Sequence, residues 1–231
     1  MKNIRINLAI FVTLPSLAGA AIVSFEAESG SLGSAFTIEN GALNASGDAA
    51  IVPVDINDDF TTDQPTSAAH VVTYNVTFDT ADTYDLWFRV GTDRGSAINS
   101  QDSVFTAARF GVIDTTSDSS ADWTSMNRFR ITQDEFIWFN VSAGDAPTSN
   151  GYNRNSTTFN VAAAGDQTWQ LGGREENFRI DAIAFVSTNE FNGLTALEAT
   201  SRLDASLIPE PSSTMLLGLV SIALLGRRRR A

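Results

Sequence analysis

The chain is 231 residues long, 43% hydrophobic and 18% charged, with 27 acidic residues, 15 basic residues and no cysteine. Its net charge is −12, and six basic residues lie at the two ends, so nucleic acid and anionic membrane surfaces are poor partners for the body of the chain. Because there are no disulfides, the fold must depend on its hydrophobic core, with or without a metal.

The first twenty residues have the features of a secretory signal peptide in the right order. Lys2 and Arg5 form a positive region, residues 6–17 are apolar, and Ala18-Gly19-Ala20 provides the small residues of a cleavage site. We therefore predict that residues 1–20 are a signal peptide and that the protein is exported. The alternative is a short buried helix.

Residues 21–188 are predicted to form one all-β domain, a β-sandwich of jelly-roll type. The runs VVTYNVTF (71–78) and TYDLWFRV (83–90) alternate between apolar and polar residues, as half-buried strands do. Asp79–Asp82 between them predicts a hairpin-like connection. Polar, Gly-containing loops separate many short strands, which is typical of a sandwich or jelly roll. The other predicted strands are Ile22–Glu28, Asp102–Phe110, Asn127–Ile131, Phe136–Val141, Thr157–Val161, Gln167–Leu171 and Arg179–Val186.

Residues 189–208 are predicted to be a linker. They are mostly polar, and their leucines Leu194, Leu197 and Leu203 have only weak helical spacing. A linker here would separate the β-domain from the end of the chain.

The last residues, 209–231, combine three features: Pro209-Glu210-Pro211, the apolar run Thr214–Gly226, and Arg227, Arg228, Arg229 and Arg230. The apolar run predicts a short helix of about 20 Å, less than the ~30 Å core of a bilayer, with the arginines on the cytoplasmic side. This order of features resembles the PEP-CTERM sorting tail. The resemblance implies an exported protein of a Gram-negative bacterium that makes extracellular polysaccharide. It also implies transient contact with the inner membrane and a membrane protease of the exosortase type that removes or exchanges the tail, leaving the protein at the cell surface or in the extracellular matrix. The alternative is a plain C-terminal membrane anchor.

No motif in the sequence indicates catalysis. His70 is the only histidine, so a Ser-His-Asp arrangement would need it, and no nucleophile motif lies nearby. Asp55–Thr66 begins like an EF-hand loop, but Phe60 and Thr66 stand where that loop needs Gly and a bidentate Glu. We predict that the protein is not an enzyme. A pair of carboxylates acting as in a glycosidase is the alternative that remains open.

Three carboxylates predict a cation site. Glu26 and Glu28 are two residues apart on the predicted first strand, so they share one face, and Asp181 lies in an otherwise apolar last strand. A carboxylate among apolar neighbours costs free energy unless it is paired or metal-bound. Because the first and last strands of a sandwich are often neighbours, we predict that the three side chains converge on Ca²⁺. The alternative is that Asp181 pairs with Arg174 or Arg179 and that no metal binds.

The body of the chain also resembles a known family. The ordered motifs FEAESG, YDLWFRV, DSVF and GDQTWQLGGREENFRIDAIAFV, spanning Ser24 to Ser187, are similar to those of carbohydrate-binding modules of families 6 and 35. The resemblance implies a β-sandwich that binds polysaccharide. It also implies a structural calcium held at the positions of Glu26, Glu28 and Asp181, and a sugar-binding Asn in the loop before the last strand, where Asn177 stands.

Aromatic residues in polar loops are candidates for stacking on sugar rings. Trp123 lies in SSADWTSMN, and Tyr152 lies in SNGYNRNS beside Asn153. With Asn177 these residues form the predicted carbohydrate site, although each aromatic ring could instead pack on the edge of the sandwich. Packing roles are predicted for Trp87, Trp138 and Trp169. The sequence thus predicts an exported, non-catalytic carbohydrate-binding protein, with a structural matrix protein as the alternative and a glycan hydrolase as a third possibility.

Overall fold

A computed structural model describes residues 22–54, 56, 64–92, 102–115, 122–126, 129, 135–142 and 158–207 of the chain. The predicted signal peptide, Tyr152 and Asn153 lie outside these residues. The predicted short apolar helix, with Pro209, Glu210, Pro211 and Arg227–Arg230 around it, and most of the predicted strand Asn127–Ile131 lie outside them too.

Twelve strands and one α-helix lie within the described residues. They are β1 (Ile22–Glu26), β2 (Ser31–Leu32), β3 (Phe36–Asn40), β4 (Ala49–Pro53), β5 (Val71–Phe78), β6 (Asp82–Thr92), β7 (Val104–Ala107), β8 (Trp123–Met126), β9 (Ile137–Asn140), β10 (Phe159–Val161), β11 (Gly165–Gly173), β12 (Phe178–Ser187) and α1 (Ala196–Leu207). A seven-stranded sheet has the order β10-β6-β12-β4-β3, with β1 also beside β12 and β9 also beside β6. A five-stranded sheet has the order β2-β5-β11-β7-β8.

The two sheets pack face to face around an aromatic core. The alternation in β5 is observed as predicted, because Tyr74, Val76 and Phe78 are buried while Asn75 and Thr77 are exposed. Across the core, the rings of Phe78 and Phe185 are 5.4 Å apart. Such ring pairs add to the apolar burial that holds two sheets together. The predicted β-sandwich is confirmed.

The connection at Asp79–Asp82 differs from the prediction. A hairpin would keep β5 and β6 in one sheet, but β5 pairs with β11 and β6 pairs with β12, so the chain crosses from one sheet to the other. The physical reason is that both strands bury their apolar faces in the same core, where the tilted rings of Phe78 and Tyr84 have centroids 4.8 Å apart. Among the described strands the chain crosses between the sheets eight times, which gives the sandwich its jelly-roll character. The crossings are from β1 to β2, β2 to β3, β4 to β5, β5 to β6, β6 to β7, β8 to β9, β10 to β11 and β11 to β12.

The structure corrects the predicted linker, because α1 occupies its C-terminal half and is packed against the domain. Leu203 is fully buried in a cluster that includes Trp138, Ala184 and Val186, on the outer face of the seven-stranded sheet. The outward-facing side chains of β12 are themselves apolar, so this strand needs a cover on both faces, and α1 supplies the second one. No helix in the described part of the chain has the length and apolar character needed to span a bilayer.

Candidate functional site

The acidic residues singled out in the sequence meet at one corner of the seven-stranded sheet. Strand β1 pairs antiparallel with β12, and Glu26 stands opposite Ala182. The predicted neighbourhood of the first and last strands is therefore confirmed. Asp181 lies at an irregularity in the pairing of β12 with β6, between Ile180 and Ala182. We call the group of Glu26, Glu28, Ser46, Arg89 and Asp181 the acidic junction.

Ser46, in the connection between β3 and β4, joins two of the carboxylates. Its hydroxyl donates to Glu26 Oε1 at 2.6 Å, and its backbone N–H donates to Asp181 Oδ1 at 2.8 Å. Gly47 follows with φ +61°, a left-handed conformation that glycine adopts at no steric cost. Glu28 lies on a 3₁₀ turn rather than on the predicted first strand. Its Oε1 atom lies close to Gly47, 3.8 Å from the position that a Cβ atom would occupy on that glycine. Ser46 and Gly47 thus lie beside the three carboxylates of the predicted site.

Arg89 on β6 forms an ion pair with Asp181, whose side chain is fully buried. The alternative partners that the sequence suggested have other contacts. The Nε–H of Arg179 donates to Glu39 at 2.7 Å, and the guanidinium of Arg174 donates to the hydroxyl of Ser103. Asp181 thus pairs with an arginine, as the alternative to a metal site supposed, but the arginine is Arg89 and not Arg174 or Arg179.

Burial dominates the electrostatics of the acidic junction. Burial raises the pKa of Asp181 to about 7, even though Arg89 and the Ser46 N–H lower it. Burial and the neighbouring Glu26 also raise the pKa of Glu28 above its ordinary value. The second carboxylate oxygens of Glu26 and Glu28 are buried without a hydrogen-bond partner among the described residues. Both carboxylates therefore carry a desolvation cost that their hydrogen bonds offset only in part.

The residues present do not fit the predicted calcium site of three carboxylates. A calcium site needs several oxygen ligands free to turn toward one ion. Here Asp181 is held by Arg89 and by the Ser46 N–H, and the guanidinium brings a positive charge that repels a second cation. In the part of the chain that the structure describes, no three His, Cys, Asp or Glu side chains are placed to hold one metal ion.

The structure also corrects the predicted sugar-stacking role of Trp123. Its side chain is only 1% exposed, and its indole N–H donates to the carbonyl oxygen of Asp114 at 3.3 Å. The tryptophan begins β8, where its pairing with Ala107 places it over the core and leaves no ring face for a ligand. The open alternative, packing against the sandwich, is the one observed.

Asn177 lies apart from Trp123. It occupies the turn before β12 with φ +60°, and its backbone N–H donates to the carbonyl oxygen of Pro53 at 3.1 Å. Val104 pairs with Gly173, which shortly precedes Asn177 in the sequence, and also with Met126 at one end of β8. Trp123 lies at the opposite end of β8. The structure therefore does not bring these two candidates together.

The packing roles predicted for three tryptophans are confirmed. Trp169 is fully buried between the sheets, and Trp138 is buried against α1. Trp87 stacks edge-on against Phe191 with ring centroids 5.4 Å apart.

The outer face of the five-stranded sheet carries a polar ladder that the sequence analysis missed. Residues facing each other on β5 and β11 are hydrogen-bonded in three successive pairs. Thr77 donates to Asp166 at 2.6 Å, Thr168 to Asn75 at 3.4 Å, and Gln170 to Thr73 at 3.0 Å. The polar residues of β5 were visible in its alternation, but their partners depend on the register with β11, which no local pattern reveals. We call these six residues the polar ladder.

A pocket of about 220 Å³ lies at one end of the polar ladder. It is lined by Thr73 and Gln170 from the ladder and by Val112, Ile113 and Asp114 from the segment after β7. The backbone N–H of Ile113 donates to Gln170 Oε1 at 2.7 Å, which fixes this segment beside the sheet, while the side chain of Val112 is 75% exposed. The pocket thus combines hydroxyl and amide groups with an exposed apolar surface.

Comparison with known proteins gives one family match and several similar solved structures. Residues 207–230 match the PEP-CTERM protein-sorting motif, which confirms the sorting tail predicted from the sequence. No curated protein matches the chain.

The similar solved structures include two carbohydrate-binding modules over nearly their whole length. The C-terminal CBM6 of LamC, a marine laminarinase from Zobellia galactanivorans, is 13% identical with a TM-score of 0.39, covering 72% of this chain and 99% of that chain. A family 35 module from Clostridium thermocellum is 14% identical with a TM-score of 0.40, covering 71% of this chain and 98% of that chain. A GH26-CBM35 β-(1,4)-mannanase from Podospora anserina is 15% identical with a TM-score of 0.40, covering 71% of this chain but only 27% of the mannanase, so this chain spans less than a third of that enzyme.

Proposed function

We propose that this chain is an exported, non-catalytic surface or matrix protein that binds polysaccharide on the outer face of its five-stranded sheet. The observation that carries the proposal is the difference between the two outer faces of the sandwich. Helix α1 covers apolar residues on the outer face of the seven-stranded sheet, whereas Asn75, Thr77 and Asp166 on the five-stranded sheet are exposed.

The chemistry of the polar ladder suits a sugar polymer. Its hydroxyl and amide groups can donate and accept hydrogen bonds, as sugar hydroxyls do, and the carboxylate of Asp166 can accept hydrogen bonds from them. Two adjacent strands present these groups in register along the sheet, so an extended chain lying on the face meets a repeated set of partners. The exposed Val112 adds an apolar contact for the C–H surface of a sugar ring.

The position of the sorting motif supports export to the surface. The motif begins at residue 207, the last residue of α1, so the sorting tail follows the packed helix directly. We propose that an exosortase-type membrane protease of a Gram-negative bacterium recognises this tail while its apolar segment is transiently in the inner membrane. Replacing Pro209, Glu210 and Pro211 with alanine should leave the chain unprocessed in the cell envelope, which fractionation and immunoblotting would detect.

Affinity electrophoresis of the full chain through gels containing different soluble polysaccharides tests the binding proposal. At least one polysaccharide should retard the wild type, and the double variant Asn75→Ala/Thr168→Ala should bind about tenfold more weakly, since each lost hydrogen bond contributes about 0.5–1.5 kcal/mol. The matched control is Thr37→Ala/Asn40→Ala, which removes the same two residue types from exposed positions on β3 of the other sheet. If no polysaccharide retards the wild type, the protein is instead a structural matrix component. If both double variants lose the same affinity, the polar ladder is not the binding surface.

A further inference from the structure

Arg89 forms an ion pair with the buried carboxylate of Asp181, one of the three ligands predicted for calcium. We infer that the guanidinium of Arg89 takes the place of a metal ion at Asp181, so that the acidic junction folds without calcium. The inference is independent of polysaccharide binding, because the acidic junction belongs to the seven-stranded sheet and the polar ladder to the other sheet.

Arg89 contacts several oxygen atoms at once, as a bound metal ion does. Besides Asp181, its guanidinium donates to the carbonyl oxygen of Asn44 at 3.2 Å and lies 3.5 Å from the carboxylate of Asp204. Its Cζ atom is 5.7 Å from the centre of the Phe136 ring. A guanidinium offers five N–H donors in one plane and keeps its charge at any physiological pH. It therefore supplies several oxygen contacts at once, as calcium would, but it cannot dissociate from the chain.

The geometry explains why a metal ion would have to compete with this side chain. The carboxylate of Asp181 accepts from Arg89 on one oxygen and from the Ser46 N–H on the other, so both of its oxygens already have donors. Glu26 uses one oxygen to accept from the Ser46 hydroxyl. A calcium ion drawing on all three carboxylates would have to compete with the guanidinium for Asp181, whereas the second oxygens of Glu26 and Glu28 have no hydrogen-bond partner among the described residues. An arginine that is covalently part of β6 holds its place at all metal concentrations.

Arg89 also reaches an element that is far from the carboxylates in the sequence. Through Asp204 it contacts α1, and through Asn44 it contacts the β3–β4 connection. One side chain on β6 thus links β12, this connection and the helix that precedes the sorting motif. Removing its charge should expose the carboxylates to cations and also loosen α1.

Thermal unfolding of the full chain at pH 8, with EGTA or with millimolar CaCl₂, tests the inference in the wild type and in Arg89→Gln. The wild type should have the same midpoint in both buffers. Arg89→Gln should melt lower than the wild type in EGTA, and calcium should raise its midpoint by roughly 5 °C or more if calcium exceeds the Kd about a hundredfold. A calcium-dependent midpoint in the wild type would overturn the inference. A folded Arg89→Gln that does not respond to calcium would overturn the claim that Arg89 takes the place of a cation.

Two further variants separate charge from packing. Arg89→Lys keeps a positive charge and should show no response to calcium, whereas Arg89→Gln/Asp181→Asn removes a ligand and should lose the response of the single variant. If Arg89→Gln does not fold, terbium luminescence on the wild type still decides the question. The hydroxyl of Tyr74 donates to the Ala27 carbonyl at 2.8 Å, between the two glutamates in sequence, so tyrosine excitation would sensitise an ion bound there. We expect no sensitised terbium emission at any point of the titration. Saturable emission that is lost when calcium displaces terbium would refute the inference.

Discussion

Trp138 donates its indole N–H to the Oδ1 atom of Asp204 at 2.8 Å, joining strand β9 to helix α1 on the outer face of the seven-stranded sheet. On the same helix, the backbone carbonyl of Ser206 accepts from the hydroxyl of Ser24 on β1 at 2.9 Å. The helix is therefore held at two points along its last two turns by groups from different strands. It is part of the folded domain, and changes in its buried face should affect the stability of the whole sandwich.

The first prediction concerns the buried face of α1. Leu203→Ala should lower the free energy of unfolding by about 2–5 kcal/mol, because it leaves a cavity beside Trp138 and Val186. The control is Leu197→Ala, the same change on the same helix at a side chain that is 76% exposed, which should cost less than about 0.5 kcal/mol. Urea unfolding followed by tryptophan fluorescence measures both. Equal effects of the two substitutions would mean that α1 does not pack as described.

The helix shows why parts of this fold escape sequence analysis. The leucines alone gave weak periodicity, since the stripe that faces the sheet consists of Ala199, Leu203 and Leu207, with an alanine as its first member. Strand β4 (Ala49–Pro53) was missed because all five residues are buried, so it has no alternation of apolar and polar residues. Strand β5 alternates clearly because one face meets the core and the other meets water. The period-two pattern of β5 therefore identified a strand with one face in water, whereas β4 offered no such pattern.

The second prediction concerns the start of α1, where Thr195 and Glu198 cap the helix reciprocally. The backbone N–H of Glu198 donates to Thr195 Oγ1 at 3.3 Å, and the backbone N–H of Thr195 donates to Glu198 Oε2 at 2.8 Å. Thr195→Ala should cost about 1 kcal/mol, while Thr195→Ser, which keeps the hydroxyl, should cost much less. Chemical denaturation at pH 7 measures the difference. If serine and alanine are equally destabilising, the cap does not contribute.

The third prediction follows from the burial of Trp123. Trp123→Phe should destabilise the domain by about 1–3 kcal/mol, because it loses ring volume and the hydrogen bond to Asp114. It should leave the affinity of the folded protein for polysaccharide unchanged, since the ring is not accessible. Affinity electrophoresis beside Asn75→Ala/Thr168→Ala makes the comparison. If Trp123→Phe is fully folded and still binds polysaccharide more weakly than the wild type, Trp123 contributes to binding as the sequence suggested.

The candidate site could be predicted only in part, for a physical reason. The meeting of Glu26 with Asp181 followed from the rule that the first and last strands of a sandwich are neighbours, together with the oddity of a carboxylate in an apolar strand. Ser46 and Arg89 lie 135 and 92 residues from Asp181 in sequence, and nothing near them in the chain marks them as its partners. Their roles depend on the β3–β4 connection and on the irregular pairing beside Asp181, which are features of the assembled sheet.

The fourth prediction concerns pH. Because burial raises the pKa of Asp181 from about 3.8 to about 7, the folded protein binds this proton more tightly than the unfolded chain does. The resulting stability is complete below pH 4, the range of the unfolded pKa, and is lost as the pH rises through 7. The change through this one group is on the order of 2–4 kcal/mol. Urea unfolding at intervals from pH 4 to pH 8 should show this decline in the wild type.

Asp181→Asn should flatten the decline, because an amide cannot release a proton at any pH in this range. Asp82→Asn is the matched control, since hydrogen bonds from Ser187 and Thr83 lower the pKa of Asp82, the opposite direction. The stability that Asp82 contributes is present above its ordinary pKa and is lost as the pH falls through the lowered one. Asp82→Asn should therefore alter only the acidic end of the profile and keep the decline toward pH 8. If Asp181→Asn keeps the wild-type slope between pH 5 and pH 8, Asp181 is already ionised across that range, and its pairing with Arg89 outweighs its burial.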